Sequence, residues 1–289
     1  MSFDILGSDL RRRVNKPDVA PVRHEIIASH LPLKREPNPQ AGVETEVLRG
    51  EIFNVYESRD GWLYGQLETD KYVGWVELFS DDFDTLKSLT PAHQRGRAVA
   101  LTKSSVIATH KVKVPRTFTY PAPNMKLPSM GALSLGSVLQ VVKIEGDFAV
   151  TAQNEFIWAA HLCAINEFAA DFVSVAEQFL NVPYLWGGKT SLGLDCSGLV
   201  QISLQAAGIN APRDSDMQAN ELGVAVDVRD VQRGDLVFWK GHVGIMIDSL
   251  TLLHANGYHM MVIKESFSEA VARIKEKSFG EVTCVKRVF

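Results

Sequence analysis

The sequence predicts an α+β protein in which two small β-barrels precede a mixed α/β domain. Over residues 22–80, short stretches of alternating apolar and polar residues are separated by turn residues, as is typical of a small barrel. A second strand-rich run follows over residues 93–165. From residue 166 onward, segments with helical spacing of apolar residues alternate with strands. The chain has 289 residues, of which 46% are hydrophobic, so it can bury two or three such cores.

The composition argues against several classes of partner. The formal charge is −4 and no run of lysine or arginine occurs, so neither nucleic acid nor an anionic membrane is expected as the principal partner. No stretch approaches the roughly 20 apolar residues that span a bilayer. The N-terminus has no basic region followed by an apolar run. We therefore predict a cytoplasmic protein without a secretory signal.

The three cysteines are too few and too scattered for a disulfide framework, and no Cys/His set has zinc spacing. Cys163 lies in an apolar stretch and Cys284 in an alternating one, which favours packing over chemistry for both. We expect no metal and no organic cofactor. Reduced thiols in the cytoplasm would suit a cysteine nucleophile.

The first barrel follows an N-terminal extension over residues 1–21. Its predicted strands cover residues 46–51, 52–57, 60–67 and 72–76. The pattern Gly61-Trp62 followed by Gly74-Trp75 resembles bacterial SH3-like barrels of the SH3b type. Trp62 and Trp75 are predicted to be core aromatics, and contact with a ligand is the less favoured interpretation.

The second barrel is predicted after a polar linker over residues 81–92. Its strands are expected at residues 99–101, 109–114, 137–142 and 156–159. A proline-rich segment from residue 120 to residue 131 interrupts them and indicates an inserted loop.

The last domain, residues 166–289, is predicted to begin with a helix capped by Asn166. The apolar face of this helix is expected to consist of Phe168, Phe172, Val175, Ala176 and Phe179. Gly187 and Gly188 then allow a tight backbone path toward the next helix.

A cysteine stands where that path turns into the second helix of the domain. Residues 197–207 carry apolar side chains with the spacing of a buried helix, and Gly208 is a natural stop. Asp195 is a plausible N-cap, so Cys196 would lie in the first turn, where the helix N-terminus favours the thiolate. The alternative is that Cys196 is a small buried apolar residue.

Two histidines follow on predicted strands. Residues 233–239, 241–247 and 252–255 have the pattern of three strands, and His254 lies twelve positions after His242. This even separation, with an odd-length hairpin loop near residue 248, would project both imidazoles from one face. A thiol, a base and an orienting group are what nucleophilic catalysis needs. We assign Cys196 as nucleophile, His242 as base and His254 as orienting residue.

These motifs together resemble the NlpC/p60 family of cell-wall cysteine peptidases. They are Asp-Cys-Ser-Gly-Leu-Val at 195–200, Arg-Gly-Asp-Leu-Val-Phe-Trp at 233–239, His-Val-Gly-Ile at 242–245 and the second histidine. The resemblance covers about the last 120 residues. It implies a papain-like α/β core with a Cys-His-polar triad in which the third member is histidine. Arg233 replaces the common proline of the second motif, at a turn where no effect on chemistry is expected.

The family resemblance also suggests residues near the nucleophile. It places Tyr184 where its hydroxyl or a neighbouring amide could stabilise an oxyanion, although packing against the first helix is as plausible. Trp186 resembles a pocket wall. Ser197, next to the nucleophile, is assigned to substrate binding.

Ser215, nineteen residues after Cys196, matches a subgroup similar to γ-D-glutamyl-L-diamino-acid peptidases. The resemblance implies that Asp195 and Ser215 clamp the free amino group of a murein peptide, a role compatible with a helix cap at Asp195. It also implies that Tyr72 from the first barrel closes the pocket. A barrel glutamate is used in the subgroup, and the sequence leaves Glu44 and Glu46 open.

The predicted function is hydrolysis of the γ-D-glutamyl to diamino-acid bond (meso-diaminopimelate) in murein peptides that have a free N-terminal L-alanine, and the sequence leaves open which diamino acid is accepted. A barrel that roofs the cleft would exclude intact cell wall, which favours recycling of wall peptides. Two alternatives stay open: another acyl-transfer enzyme on the same core, such as an amidase or acyltransferase, and a non-catalytic muropeptide-binding protein.

Overall fold

The computed structural model describes residues 10–16, 18–78 and 107–288. The chain forms two compact units, one ending at Glu167 and the other beginning at Phe168. The predicted linker at 81–92 and the predicted strand at 99–101 lie outside the described residues. Within the described ranges, none of the helices combines the length and the apolar character that crossing a bilayer requires.

The first unit begins with an antiparallel sheet of six strands in the order β1-β4-β5-β6-β2-β3. Phe53, Leu67 and Leu33 are fully buried in its core, and Trp62 and Trp75 are buried as predicted. The strands are β1 (Val22–Glu25), β2 (His30–Lys34), β3 (Val43–Leu48), β4 (Ile52–Arg59), β5 (Trp62–Leu67) and β6 (Val73–Glu77).

Two further sheets complete this unit, with orders β10-β7-β14 and β11-β12-β13-β8-β9. One apolar cluster joins them, since Val112, Leu139 and Leu162 of the first sheet pack with Leu133 and Ile157 of the second. The strands are β7 (His110–Val112), β8 (Arg116–Tyr120), β9 (Gly131–Ser134), β10 (Val138–Leu139), β11 (Val141–Glu145), β12 (Phe148–Thr151), β13 (Phe156–Trp158) and β14 (Leu162–Ala164).

The predicted strand at 137–142 is wrong as a single element. Val138–Leu139 pairs with β7, whereas Val141–Glu145 pairs with β12 in the other sheet. The proline-rich segment between β8 and β9 contains no strand and no helix, as predicted. The count of two barrels stays a prediction.

The second unit opens with α1 (Phe172–Glu177), and its N-cap is Asp171, not the predicted Asn166. The Asp171 carboxylate accepts a hydrogen bond from the Val173 N–H at 2.9 Å, which satisfies one of the free amides of the first turn. Phe168 therefore lies before the helix, and its side chain is 54% exposed.

A six-stranded antiparallel sheet forms the centre of the second unit, in the order β17-β22-β18-β19-β20-β21. α2 packs against β19 and β20, and α4 packs against β20 and β21. The elements after α1 are β15 (Lys189–Thr190), β16 (Gly193–Leu194), α2 (Cys196–Ala206), α3 (Ser215–Glu221), β17 (Val224–Val226), β18 (Asp235–Trp239), β19 (His242–Met246), β20 (Thr251–Asn256), β21 (Met261–Ser266), α4 (Phe267–Lys277) and β22 (Cys284–Arg287).

Candidate active site

A short hairpin and a tight loop lead the chain into α2. β15 pairs with β16, and the Leu185 N–H donates to the Leu194 carbonyl oxygen at 3.0 Å. The loop also packs closely on the first turn of the helix. A β-carbon at Gly198 would lie 2.3 Å from the Gly188 carbonyl oxygen, so this position requires glycine. The close contact fixes the position from which α2 starts.

Cys196 is the first residue of α2, and its side chain is buried. The N-cap is Asp195, as predicted, and its carboxylate accepts a hydrogen bond from the Gly198 N–H at 2.7 Å. The backbone amides of Ser197 and Val243 lie close enough to the sulfur to act on the pKa of the thiol, which they lower. Because Val243 directly follows His242 on β19, the cysteine helix and the histidine strand meet at this sulfur atom.

The protonation state of Cys196 differs from the expectation. Burial raises the pKa of the thiol to about 12, and the Asp195 carboxylate adds to this effect. The backbone amides and the Arg213 guanidinium act in the opposite direction but do not offset it. The prediction that the helix N-terminus favours a resting thiolate is therefore wrong, because desolvation of sulfur outweighs the helix end. Cys196 is a thiol at neutral pH.

Asp195 is the centre of a buried hydrogen-bond network. Arg213, which is 1% exposed, donates from Nη2 to Oδ2 at 2.6 Å and from Nη1 to Oδ1 at 2.9 Å. The Gly187 N–H donates to Oδ2 at 2.9 Å, and the Ser197 hydroxyl donates to Oδ1 at 3.4 Å. With the Gly198 amide, five hydrogen bonds end on this carboxylate. Asp195 therefore holds the loop, the helix and the buried guanidinium together.

Ser215 opens α3 and is partly buried. One turn later, Gln218 donates from Nε2 to the carbonyl oxygens of Ser197 and Pro212, each at 2.9 Å. These bonds attach α3 to the start of α2, so Ser215 lies on an element fastened to the nucleophile. Its role in substrate binding stays a prediction.

His242 and His254 are buried side by side on one face of the sheet, as the spacing predicts. The register that pairs Met246 with Leu252 places residues 242 and 254 on the same face of the sheet. His242 Nε2 lies 2.8 Å from His254 Nδ1. The Phe279 ring stacks on His242 with centroids 5.2 Å apart and planes 8° apart. The His242 ring is thus held by one hydrogen bond and one stacked ring.

Both imidazoles are neutral at pH 7. Burial lowers the pKa of His242 well below its ordinary value, and the charges of His254 and Arg273 act in the same direction. Burial also lowers the pKa of His254, even though the Glu265 carboxylate opposes the shift. A neutral imidazole can accept the proton of a thiol and so act as its general base.

Glu265 and Arg273 extend the network beyond the two histidines, and sequence reasoning missed both. His254 Nε2 lies 2.7 Å from Glu265 Oε1, and Arg273 on α4 donates to the same oxygen. The pairing of Glu265 with Leu252 places the carboxylate on the face of β20 that carries His254. Recognition of residues 261–266 as a strand would have given this signal.

Arg213 was also missed. It stands two positions before Ser215, in a segment interpreted for its serine alone. A buried carboxylate needs a partner, so a search for a cation near Asp195 would have found it.

The remaining predicted residues lie in different environments. Tyr184 is partly buried, and burial raises the pKa of its hydroxyl, with Cys196 and Asp195 contributing, so it lies within electrostatic reach of the nucleophile. Trp186 is 72% exposed. Tyr72 belongs to the first unit, where it is buried and its hydroxyl donates to Glu44 Oε2 at 3.3 Å. The substrate-binding roles of all three stay predictions.

Comparisons with known proteins agree with this geometry. The sequence profile of the NlpC/P60 family matches residues 181–280, and that of the bacterial dipeptidyl-peptidase SH3 domain matches residues 33–79. A γ-D-glutamyl-L-lysine dipeptidyl-peptidase of Bacillus subtilis is 26% identical over 233 residues, which cover 74% of this chain and 72% of that protein. Dipeptidyl-peptidase 6 of Lysinibacillus sphaericus is 23% identical, covering 80% of this chain and 86% of that protein.

A shorter match has higher identity. A γ-D-glutamyl-L-lysine dipeptidyl-peptidase of Bacillus cereus is 38% identical over 95 residues, and the match spans 30% of this chain and 28% of that protein. Among solved structures, an NlpC/P60 family protein from Bacillus cereus has the same fold, with a TM-score of 0.70 at 19% identity over 92% of this chain and 99% of that chain. Residues 181–280 therefore match the NlpC/P60 family of cysteine peptidases, and an SH3-type domain matches residues 33–79, which precede them in the chain.

Proposed function

We propose that this peptidase hydrolyses the γ-D-glutamyl to diamino-acid bond of murein peptides that have a free N-terminal L-alanine. The observation that carries the proposal is the junction of α2 and β19. There, the Val243 amide, next to His242, lies close enough to the Cys196 sulfur to lower the pKa of the thiol, while His242 Nε2 lies 2.8 Å from His254 Nδ1. The names of the relatives, dipeptidyl-peptidases for γ-D-glutamyl-L-lysine, support the choice of bond.

The reaction would begin from neutral partners. Because the pKa of the Cys196 thiol is raised and that of His242 is lowered, proton transfer from sulfur to imidazole would accompany attack on the γ-carbonyl carbon. The imidazolium would then protonate the leaving amine, and water would hydrolyse the thioester. Tyr184 is proposed to support the oxyanion through its hydroxyl or a nearby amide.

Recognition of the free amino group is proposed to involve Asp195 and Ser215. Since Asp195 already accepts five hydrogen bonds, an incoming ammonium would have to replace one of them. The Ser197 hydroxyl makes the longest of these contacts, at 3.4 Å, and is the group most easily displaced. Ser197 is therefore proposed to lie on the substrate side of the network, where its hydroxyl also accepts a hydrogen bond from Arg213 Nη1 at 2.9 Å.

The proposal is tested by mass spectrometry of the products formed from L-Ala-γ-D-Glu-diaminopimelate and from its L-lysine counterpart. We expect the dipeptide L-Ala-D-Glu from both or from one of them, no turnover of the N-acetylated peptides, and no product with Cys196→Ala. Cys163→Ala is the matched control and should retain activity, since the Cys163 thiol lies in the other unit.

Other results would contradict the assignment. Equal turnover of acetylated and free peptides would refute recognition of the amino group and favour another acyl-transfer activity. Peptide binding without any hydrolysis would favour a non-catalytic muropeptide-binding protein. Cytoplasmic recycling of wall peptides remains part of the proposal, and it is tested by peptide accumulation in cells that lack the protein.

A further inference from the structure

The hydrogen-bond chain behind the nucleophile does not end at His254. Beyond it lie Glu265 on β21 and Arg273 on α4, so four side chains from four elements form one connected row. His242 is 3% exposed and His254 is fully buried, which shields the row from competing water. In such a row, the hydrogen-bond partners at its end decide which ring nitrogen of each histidine carries the proton.

Two side chains lie within hydrogen-bond distance of one nitrogen of this row, His254 Nε2, and they require opposite protonation states of it. His254 Nε2 lies 2.7 Å from Glu265 Oε1, which accepts a proton, and 3.0 Å from Asn256 Nδ2, which donates one. The orientation of the Asn256 amide is fixed, because its Oδ1 accepts a hydrogen bond from the His259 N–H at 2.8 Å. A ring nitrogen is a donor or an acceptor, not both.

The carboxylate prevails over the amide. Arg273 donates to the same oxygen that faces His254, and hydrogen bonds from His254 and Arg273 keep the pKa of Glu265 below its ordinary value despite burial. A hydrogen bond to an ionised acceptor is roughly twice as strong as one between neutral groups. The proton of neutral His254 therefore resides on Nε2.

The protonation of the other ring nitrogens follows from the proton on His254 Nε2. With its proton on Nε2, neutral His254 can only accept at Nδ1, so His242 must donate from Nε2 across the 2.8 Å contact. The lone pair of neutral His242 is then on Nδ1. His242 Nδ1, which makes no hydrogen bond to His254, is then the ring nitrogen that can accept the thiol proton.

We propose that Glu265 is a positioning residue that sets the tautomers of both histidines and so leaves His242 Nδ1 as the base for Cys196. Without the carboxylate, Asn256 would donate to His254 Nε2 and move the proton of His254 to Nδ1. His242 would then have to accept at Nε2 and carry its own proton on Nδ1, so that no lone pair would remain there for the thiol proton. The base would be lost although each ring stays in place.

The direct test is the tautomer of each histidine, from ring-nitrogen NMR of the ¹⁵N-histidine-labelled protein. We expect Nε2–H for His242 and His254, and Nδ1–H for both in Glu265→Ala. The Glu265→Gln variant keeps an oxygen acceptor and should keep the original tautomers. In Glu265→Ala/Asn256→Ala the competing donor is absent, so part of the original tautomer population should return.

Enzyme activity provides the second readout. Only this activity measurement rests on the proposed peptide substrate. The kcat of Glu265→Ala should fall about 100-fold or more, because a misplaced imidazole proton removes the base, while KM changes little. Glu265→Gln should recover most of the loss. Glu269→Ala, an exposed carboxylate on α4, is the matched control and should leave kcat unchanged.

The NMR result decides the proposal even if no murein peptide is cleaved. A His254 proton on Nδ1 in the unsubstituted protein overturns it, as does an unchanged tautomer in folded Glu265→Ala. If the unpaired Arg273 prevents that variant from folding, Glu265→Leu/Arg273→Leu replaces the ion pair with an apolar pair and should show the same tautomer change.

Discussion

The buried pair of Arg213 and Asp195 gives the sharpest test of what holds the nucleophile in place. The Arg213 side chain is 1% exposed and the Asp195 side chain 11% exposed. Arg213→Met keeps much of the volume but leaves the carboxylate in a buried site without a cation. Removing one partner of such a pair typically costs about 3–5 kcal/mol. Because the backbone amides of Gly187 and Gly198 still donate to Asp195, we expect the lower end, about 3 kcal/mol.

The chain contains a matched pair at the surface. Arg229 also donates two hydrogen bonds to one carboxylate, from Nε to Asp227 Oδ1 at 2.9 Å and from Nη2 to Oδ2 at 2.6 Å. These side chains are 84% and 40% exposed, so solvent screens their attraction. Arg229→Met should therefore leave stability unchanged, and because both arginines donate two hydrogen bonds to one carboxylate, a larger effect of Arg213→Met reports chiefly its burial.

Hydrogen exchange followed by mass spectrometry is the suitable assay, because the chain forms two compact units and a whole-protein transition would mix them. Amides of the peptide 196–206 should lose about 100-fold of protection in Arg213→Met. Asp195→Asn/Arg213→Met should recover part of this, since no unpaired charge remains. Equal protection in Arg213→Met and Arg229→Met would refute the argument.

The pH dependence and a helix glycine give two further predictions. In the folded protein, burial lowers the pKa values of His242 and His254, so the unfolded chain binds more protons below pH of about 6.5 and stability should decrease as the pH falls through that value. The acid limb of kcat/KM should lie well below 6.5 for the same reason. Gly198→Ala should abolish activity, because its β-carbon would lie 2.3 Å from the Gly188 oxygen, whereas Gly257→Ala, with nothing within 4 Å, should be neutral.

These predictions are checked by hydrogen exchange of peptides from the second unit between pH 4 and 8, corrected for the pH dependence of intrinsic exchange, and by steady-state kinetics. An acid limb at the ordinary histidine value would show that the His242 base is solvated. A fully active Gly198→Ala variant would show that the loop shifts at little energetic cost to accommodate a methyl group.

The local elements of the site could be predicted from the sequence. Apolar spacing and the aspartate before Cys196 gave the helix and its cap, and the even separation of His242 and His254 gave their shared face. Both signals depend only on neighbouring residues, whose geometry is set by helix and strand periods.

The parts that could not be predicted depend on contacts between distant segments. Arg213 meets Asp195 across 18 positions, and Arg273 meets Glu265 only because α4 packs back on β21. The prediction for the Cys196 thiol was wrong for a related reason, because its pKa depends on the extent of burial, which tertiary packing sets. The predicted N-cap of α1 was wrong because Asn166 and Asp171 are equally good caps by residue type, and only packing selects between them.

The sealed position of Cys196 has a consequence for the lifetime of the enzyme. Peroxide attacks thiolates that solvent can reach, and this sulfur is neither ionised at rest nor accessible, with 8% exposure of the residue. The nucleophile becomes reactive only when a bound acyl group and the imidazole draw its proton away together. Burial and a raised thiol pKa should therefore slow oxidation of the nucleophile between turnovers.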